Sequence, residues 1–405
     1  MEKLEKKYID LILKRCLNFE QSKSLMINCE LKEHVEFAQK IKKRANELGI
    51  LDVCINLNDL EDIHEYLKNT NLEDIKLNPL IDRSNWDKYA IKGGGLLFLT
   101  TTIPGLMNDI EAEKIQKWVQ EREKTTKYYR SNVTKYTFPW TIAALPNKKW
   151  ANIVFNNDST AYHKLYLTIM KMCMVDRDNP IEEWNKYIKE NNYYKNILND
   201  LNIIKMHYTN SLGTDLYVEL PSHNKWVNLD KPDAMGNQMI ANMPSYEIFT
   251  SPDCRKTNGI VYASKPLYYN DICISDFWLE FKDGKVINCY AKEGQKILEN
   301  LIQQERADYL GEVALVPYNS PISNTGLVFN ETLFDENASC HLALGSGFVK
   351  CFDGYEKLDE EQLREKGLNV STTHVDFMIG TNDLKIEAET NKGKVLIFKN
   401  GNFNL

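Results

Sequence analysis

Three short apolar runs, SLMINC (Ser24–Cys29), DVCINL (Asp52–Leu57) and LLFLTTTI (Leu96–Ile103), alternate with helical patterns through the first part of the chain. Leu4, Tyr8, Leu11 and Ile12 share one helical face within residues 2–18. His34–Leu48 reads as a second helix closed by Gly49, and Asp59–Lys68 as a third. Such alternation implies a mainly parallel sheet covered by helices, because a return to a parallel neighbour needs a crossover. A long amphipathic helix is predicted over Asp109–Tyr129. TIAALPNKKWANIVF then reads as a strand, a Pro-bounded turn and a short helix, with helices following at 160–174 and 180–200. Gly93-Gly94-Gly95 precedes its strand, whereas a dinucleotide-binding loop follows one and opens a helix, and no Walker pattern is present. Trp118, Trp140 and Trp150 read as core.

From about Ile204 the pattern turns to strands. KMHYTNS and TDLYVEL flank Gly213 as a hairpin, and GIVYASKPLYYN and ICISDFWLEFKDGKVINCYA continue it with Lys282-Asp283-Gly284-Lys285 as a tight turn. A helix is predicted over Gly294–Tyr309, a loop running from the surface to the site over Phe329–Glu336, and a solvated helix or loop over Leu358–Gly367. The expected architecture is an α/β N-terminal domain with a mainly parallel sheet over residues 1–203, and an α+β, strand-rich domain over 204–405.

A chain of 405 residues can bury about three quarters of its surface, enough for two such domains. The net charge of −7 is small for this length and argues against a nucleic-acid partner. MEKLEKKYID lacks the apolar core of a signal peptide, and no run approaches the roughly 20 apolar residues that cross a bilayer. The nine cysteines include no C-x-x-C pair and several sit in apolar runs, so they read as buried free thiols of a cytoplasmic protein. The sequons at Asn132 and Asn337 then carry no glycan.

The residues with chemistry to offer gather between Leu310 and Asp376. Glu312, His341, His374 and Asp376 are a mix of carboxylates and imidazoles that suits borderline divalent metals. His374 and Asp376 stand two apart in HVDFMI, a strand pattern that turns both to one face, although such a pair alone is usually only polar. His34, His64, His163, His207 and His223 read as surface or satisfied core, and Asp215 and Glu219 as solvent-facing.

Four blocks together resemble the aminopeptidase T / aminopeptidase S family of dinuclear metallo-aminopeptidases: NMPSYEIFTSP (Asn242–Pro252), LGEVALVP (Leu310–Pro317), TLFDENASCHLALG (Thr332–Gly345) and HVDFMIG (His374–Gly380). FPWTIAALPNKKWA (Phe138–Ala151) is similar more weakly. The resemblance implies Glu247, Glu312, His341, His374 and Asp376 as ligands of two divalent metal ions, Zn, Co or Mn, with Glu312 also the general base. It implies a catalytic C-terminal domain, a homodimer, and a peptide with a free N-terminus as substrate. One departure stands out: seven residues past His341, where the family pattern carries a catalytic tyrosine, this chain has Phe348. Tyr355, in CFDGYE, is a candidate replacement donor.

Three carboxylates and two imidazoles exceed the needs of one three-ligand catalytic zinc and fall short of closing two metals without sharing. A bridging carboxylate and a bridging water would satisfy the count. A zincin is excluded, since His64-Glu65 lacks the second histidine of HExxH. Three functions are compatible with this set: a metal-dependent aminopeptidase acting through a metal-activated water, a hydrolytically impaired relative because of Phe348, and a dinuclear phosphoesterase.

Overall fold

The computed structural model describes residues 1–18, 24–222, 224–269 and 272–405. The chain forms two compact units, Met1–Lys186 with Leu229–Ser245, and Tyr187–Asn228 with Tyr246–Leu405. The division falls inside the helix Pro180–Leu201, earlier than the expected boundary after residue 203, and the segment Leu229–Ser245 belongs with the first unit.

In the first unit, β1 (Ser24–Cys29), β2 (Asp52–Leu57), β3 (Gly95–Thr100) and β4 (Trp140–Ala144) form a parallel sheet in the order β4-β3-β1-β2, extended beyond β4 by Asn242–Met243. β1 is buried along its whole length, as a strand covered on both faces must be. Asp59 caps the helix Leu60–Asn69 by accepting from the backbone N–H groups of Glu61 and Asp62. The glycines before β3 serve packing: a Cβ on Gly94 would sit 3.1 Å from the Ser24 carbonyl oxygen and 3.2 Å from that of Tyr89.

Two expectations here need correction. β3 ends at Thr100 rather than Ile103, because the Thr101 N–H leaves the ladder for the Glu30 carboxylate at 3.0 Å. The helix expected over Asp109–Tyr129 is two, Ala112–Glu123 and Lys127–Asn132. Thr125 Oγ1 donates back to the Arg122 carbonyl, and Asp87 accepts from the N–H groups of Tyr128 and Tyr129, ending one helix and starting the next. Trp118 and Trp150 are core as expected, while Trp140 is half-buried with its indole N–H on the Val133 carbonyl.

In the second unit a nine-stranded sheet and a five-stranded antiparallel sheet share one apolar core. Tyr208, Leu216, Val261 and Phe277 meet Leu310, Val313, Leu342 and Phe377 there, each burial contributing roughly 1.5–3 kcal/mol. The turn at Asp283-Gly284 has both residues in the left-handed region, as a two-residue hairpin requires. The helix expected over Gly294–Tyr309 ends at Ile302, and Arg306 in a left-handed conformation turns the chain toward Leu310. Phe329–Glu336, expected as a loop running from the surface to the site, is largely buried and ends in a short helix. Phe329 and Phe334 are fully buried edge to face, and Asp335 accepts the Phe329 N–H at 2.9 Å beside the short helix Thr332–Glu336.

All nine cysteines are free. Among the described residues no helix is long and apolar enough to cross a membrane.

Candidate metal centre

The five-stranded sheet runs Val227–Asn228, Ile248–Thr250, Leu310–Leu315, His341–Gly345, His374–Met378, all antiparallel. Its register aligns Glu312, Ala343 and Asp376 in one row across three strands. His341 stands two residues from Ala343 and His374 two from Asp376, so all share that face. Glu247 enters from the residue just ahead of the strand Ile248–Thr250. Ala343 between the two acids contributes only a methyl group, leaving room above it.

A bulge makes this possible. The register shifts between Leu310 and Glu312, so that Leu310 pairs with Leu344 over the core while Glu312 pairs with Ala343 on the opposite face. Regular alternation would have put Leu310 and Glu312 on the same side. At the other end of the row Gly345 takes φ +97°, and a Cβ there would run into the Thr373 carbonyl beside His374.

Two donor sets result, Glu247 with Glu312 and His341, and Glu312 with His374 and Asp376, the candidate ligand atoms within each lying within 4.8 Å of one another. Glu312 is common to both. His341 Nε2 lies 3.4 Å from Glu247 Oε2, and His374 Nε2 lies 3.3 Å from Glu312 Oε2 and 3.4 Å from Asp376 Oδ1. Those separations match the roughly 3.3–3.4 Å edge of a tetrahedron with zinc–ligand bonds of 2.0–2.1 Å. Asp376 Oδ1 is buried without a hydrogen bond, as an oxygen reserved for a cation would be.

Both imidazoles are oriented from behind. His341 Nδ1–H donates to the carbonyls of Glu336 (2.9 Å) and Ser339 (3.1 Å), and His374 Nδ1–H donates to that of Ser346 (2.7 Å). Each Nε2 therefore faces the carboxylates and, in the neutral ring, presents a lone pair.

A fourth carboxylate, Glu336, joins the cluster. Burial and the charges of Asp376, Glu247 and Glu312 push its carboxyl well above the usual range, with His341 opposing. Burial also raises Glu312. Burial disfavours charge on His341, yet Glu247, Asp376 and Glu312 outweigh it and push the imidazole up to about 10. His374 is likewise raised by Asp376 and Glu312 against its burial. The cluster holds more acid than its two imidazoles can neutralise, a charge balance that favours bound cations. The sequence signal for Glu336 was its place five residues before His341; only its assignment to a loop hid it.

Phe348 lies beside this set, its ring meeting His374 edge-on at a centroid separation of 5.1 Å and Phe249 at 5.0 Å. Tyr355 is half-buried against the apolar cluster around Phe249 and Phe352. The other histidines stay apart: His34 is buried on the Pro146 carbonyl, His64 pairs with Asp109, His207 with Asp215, and His163 is exposed. Asp215 is exposed, and Glu219 is half-buried between Lys205 and Lys256. His223 lies outside the described residues.

Comparison with known proteins bears on what this centre serves. The family model of the thermophilic metalloproteases (M29) matches residues 1–403. The chain belongs to the M29 family of thermophilic metalloproteases. Aminopeptidase AmpS of Bacillus subtilis (strain 168) is 33% identical over 400 residues, covering 98% of this chain and 97% of that protein. Aminopeptidase PepS of Streptococcus thermophilus is 33% identical over 407 residues, covering 99% and 98%. The solved structure of wild-type AmpT from Thermus thermophilus aligns with a TM-score of 0.90 at 25% identity, covering 100% of this chain and 99% of that one. M29 membership makes the chain a metal-dependent hydrolase of peptide bonds.

Proposed function

We propose that this M29 chain is an aminopeptidase that releases N-terminal amino acids, with one divalent ion held by Glu247, Glu312 and His341 and a second by Glu312, His374 and Asp376. The observation that carries the reading is the pair of donor sets sharing one carboxylate on one sheet face. Carboxylate and imidazole donors without a thiolate suit Zn, Co or Mn. Four carboxylates, Glu336 included, would balance two divalent cations with both imidazoles neutral. When bound, such a pair supplies a lowered water pKa, polarises a carbonyl and can hold the substrate's free α-amine.

The chain's own residues do the rest. Glu312 accepts the proton of the attacking water and returns it to the leaving amine. His341 and His374 are kept in one tautomer by the carbonyls behind them. Glu336 would add the fourth negative charge beside the two donor sets. The donor types alone would equally serve a phosphoester, but the family favours peptides. The reading keeps the homodimer that the resemblance implies.

Competing free and N-acetylated versions of one peptide tests the direction of attack. The free peptide is expected to be cleaved with kcat/KM at least a hundredfold higher; similar values for both would overturn the exopeptidase reading.

Phe348 sets the expected vigour of the enzyme. A phenol at this position, beside His374, could donate to the oxyanion formed on the peptide carbonyl, and one such donor is typically worth about 10²–10³ in kcat. Phenylalanine keeps the packing and lacks the donor. Phe348→Tyr is therefore expected to raise kcat tenfold or more. No gain, together with a collapse of kcat in Tyr355→Phe, would show that the donor has moved to Tyr355.

A further inference from the structure

The first unit holds a feature that peptide hydrolysis does not use. Its strand order β2-β1-β3-β4 reverses direction between β1 and β3, and in open parallel sheets ligands bind outside the carboxyl ends of the strands at such a switch point. Glu30, directly after β1, spans that point: its Oε2 accepts from Thr100 Oγ1 and from the Thr101 N–H, both at 3.0 Å, at the end of β3.

A cavity of about 320 Å³ opens there, lined by Glu30, Arg83, Trp86, Arg122, Tyr129 and Arg130 among others. This is the lower end of the volume range of small-molecule sites. Arg83 is 7% exposed, with only its Nε committed, to Asn58 Oδ1 at 3.2 Å. Arg122 is half-buried and donates no side-chain hydrogen bond among the described residues. The Arg83 guanidinium lies 5.2 Å from the Trp86 ring and 5.4 Å from that of Trp118, and the Arg122 guanidinium 4.4 Å from the Trp118 ring. Arg130 is paired with Glu123. Neither Arg83 nor Arg122 forms an ion pair among the described residues; the carboxylates that line the cavity are Glu30 and Glu123, and Glu123 is taken by Arg130, so three guanidiniums face two carboxylates.

Like charges drawn out of water with too few counter-ions are costly, and cation–π contact offsets only a part of that cost. Burial and the neighbouring Arg122 accordingly push Arg83 down to about 9. The indole N–H of Trp86 is also buried without an acceptor. Forked guanidinium donors fit the paired oxygens of carboxylates and phosphates, and the aromatic walls suit a planar body.

We propose that this cavity is a second ligand site, at the switch point of the parallel sheet, for a small oxyanion with a planar or apolar body, a carboxylate or a phosphate monoester. Arg83 and Arg122 grip the oxyanion, and Trp86 and Tyr129 flank the body.

Calorimetric titration of the full metal-loaded chain with phenyl phosphate, benzoate and inorganic phosphate tests this. Phenyl phosphate or benzoate is expected to bind, and whichever binds more tightly names the oxyanion; inorganic phosphate is expected to bind more weakly than phenyl phosphate. Arg122→Gln is expected to weaken binding at least tenfold while peptide hydrolysis stays within twofold of the parent. Arg83→Gln should act in the same direction, and Arg122→Gln, at a half-buried position, keeps the test valid if the buried substitution fails to fold. Binding unaffected by Arg122→Gln would place the anion at the metal centre and overturn the proposal. So would no binding of either aromatic probe at millimolar concentration, which would leave the arginines as packing partners of Trp118.

Discussion

Glu312→Gln is expected to lower kcat by about 10²–10⁴, the range for removing a positioned general base. Glu312 is the one residue common to both donor sets, and it is 3% exposed in the middle strand of the site. Glutamine keeps the shape and one carbonyl oxygen, so the bulged strand Leu310–Leu315 and its pairing should survive. It can neither take a proton from water nor offer a charged oxygen to each set. Circular dichroism and the unfolding midpoint should stay close to the parent while turnover collapses. Turnover near the parent's in a well-folded Glu312→Gln protein would remove Glu312 from the base role and point to Glu336, which Glu336→Gln in the same assay would then expose.

Removal of divalent metal is expected to abolish hydrolysis and to lower the stability of the second unit at the same time. Glu312 and Asp376 belong to one set whose ligand atoms lie within 4.8 Å. At that separation two carboxylates repel by roughly 3–4 kcal/mol at an effective dielectric constant near 20. A bound cation reverses the sign of that interaction, and saturating it at a thousand times its Kd stabilises the folded state by about 4 kcal/mol. The expected fall in Tm on exhaustive chelation is on the order of 10 °C, recovered together with activity on adding Co²⁺, Zn²⁺ or Mn²⁺. The Tm is a readout independent of substrate. Full activity in protein shown by elemental analysis to be metal-free would contradict the metal assignment, and an unchanged Tm would place any essential metal elsewhere.

Much of this molecule was written in local patterns. SLMINC and DVCINL are strands over the very residues their patterns suggested, the first buried along its whole length and the second, at the sheet edge, burying only Val53. His374 and Asp376 reach one point because period-two alternation is a property of any regular strand. Where local signals competed, the reading failed: Asp109–Tyr129 keeps a helical pattern through Thr125, but side-chain hydrogen bonds there interrupt the helix.

Tertiary structure decided the rest. The bulge at Gly311 separates Leu310 from Glu312 onto opposite faces, and it exists because a neighbouring strand pairs with it, which no stretch of LGEVAL encodes alone. Glu336 joins the acids only because Phe329 and Phe334 bury the segment before it, turning a polar loop into a helix at the site. Leu229–Ser245 returns to the first unit because Asn242–Met243 completes the parallel sheet beside β4, a contact between residues about a hundred positions apart. Residue types and their spacing along strands thus determined which chemistry the chain could hold. Which side chains meet was set by strand register and burial, which depend on partners distant in sequence.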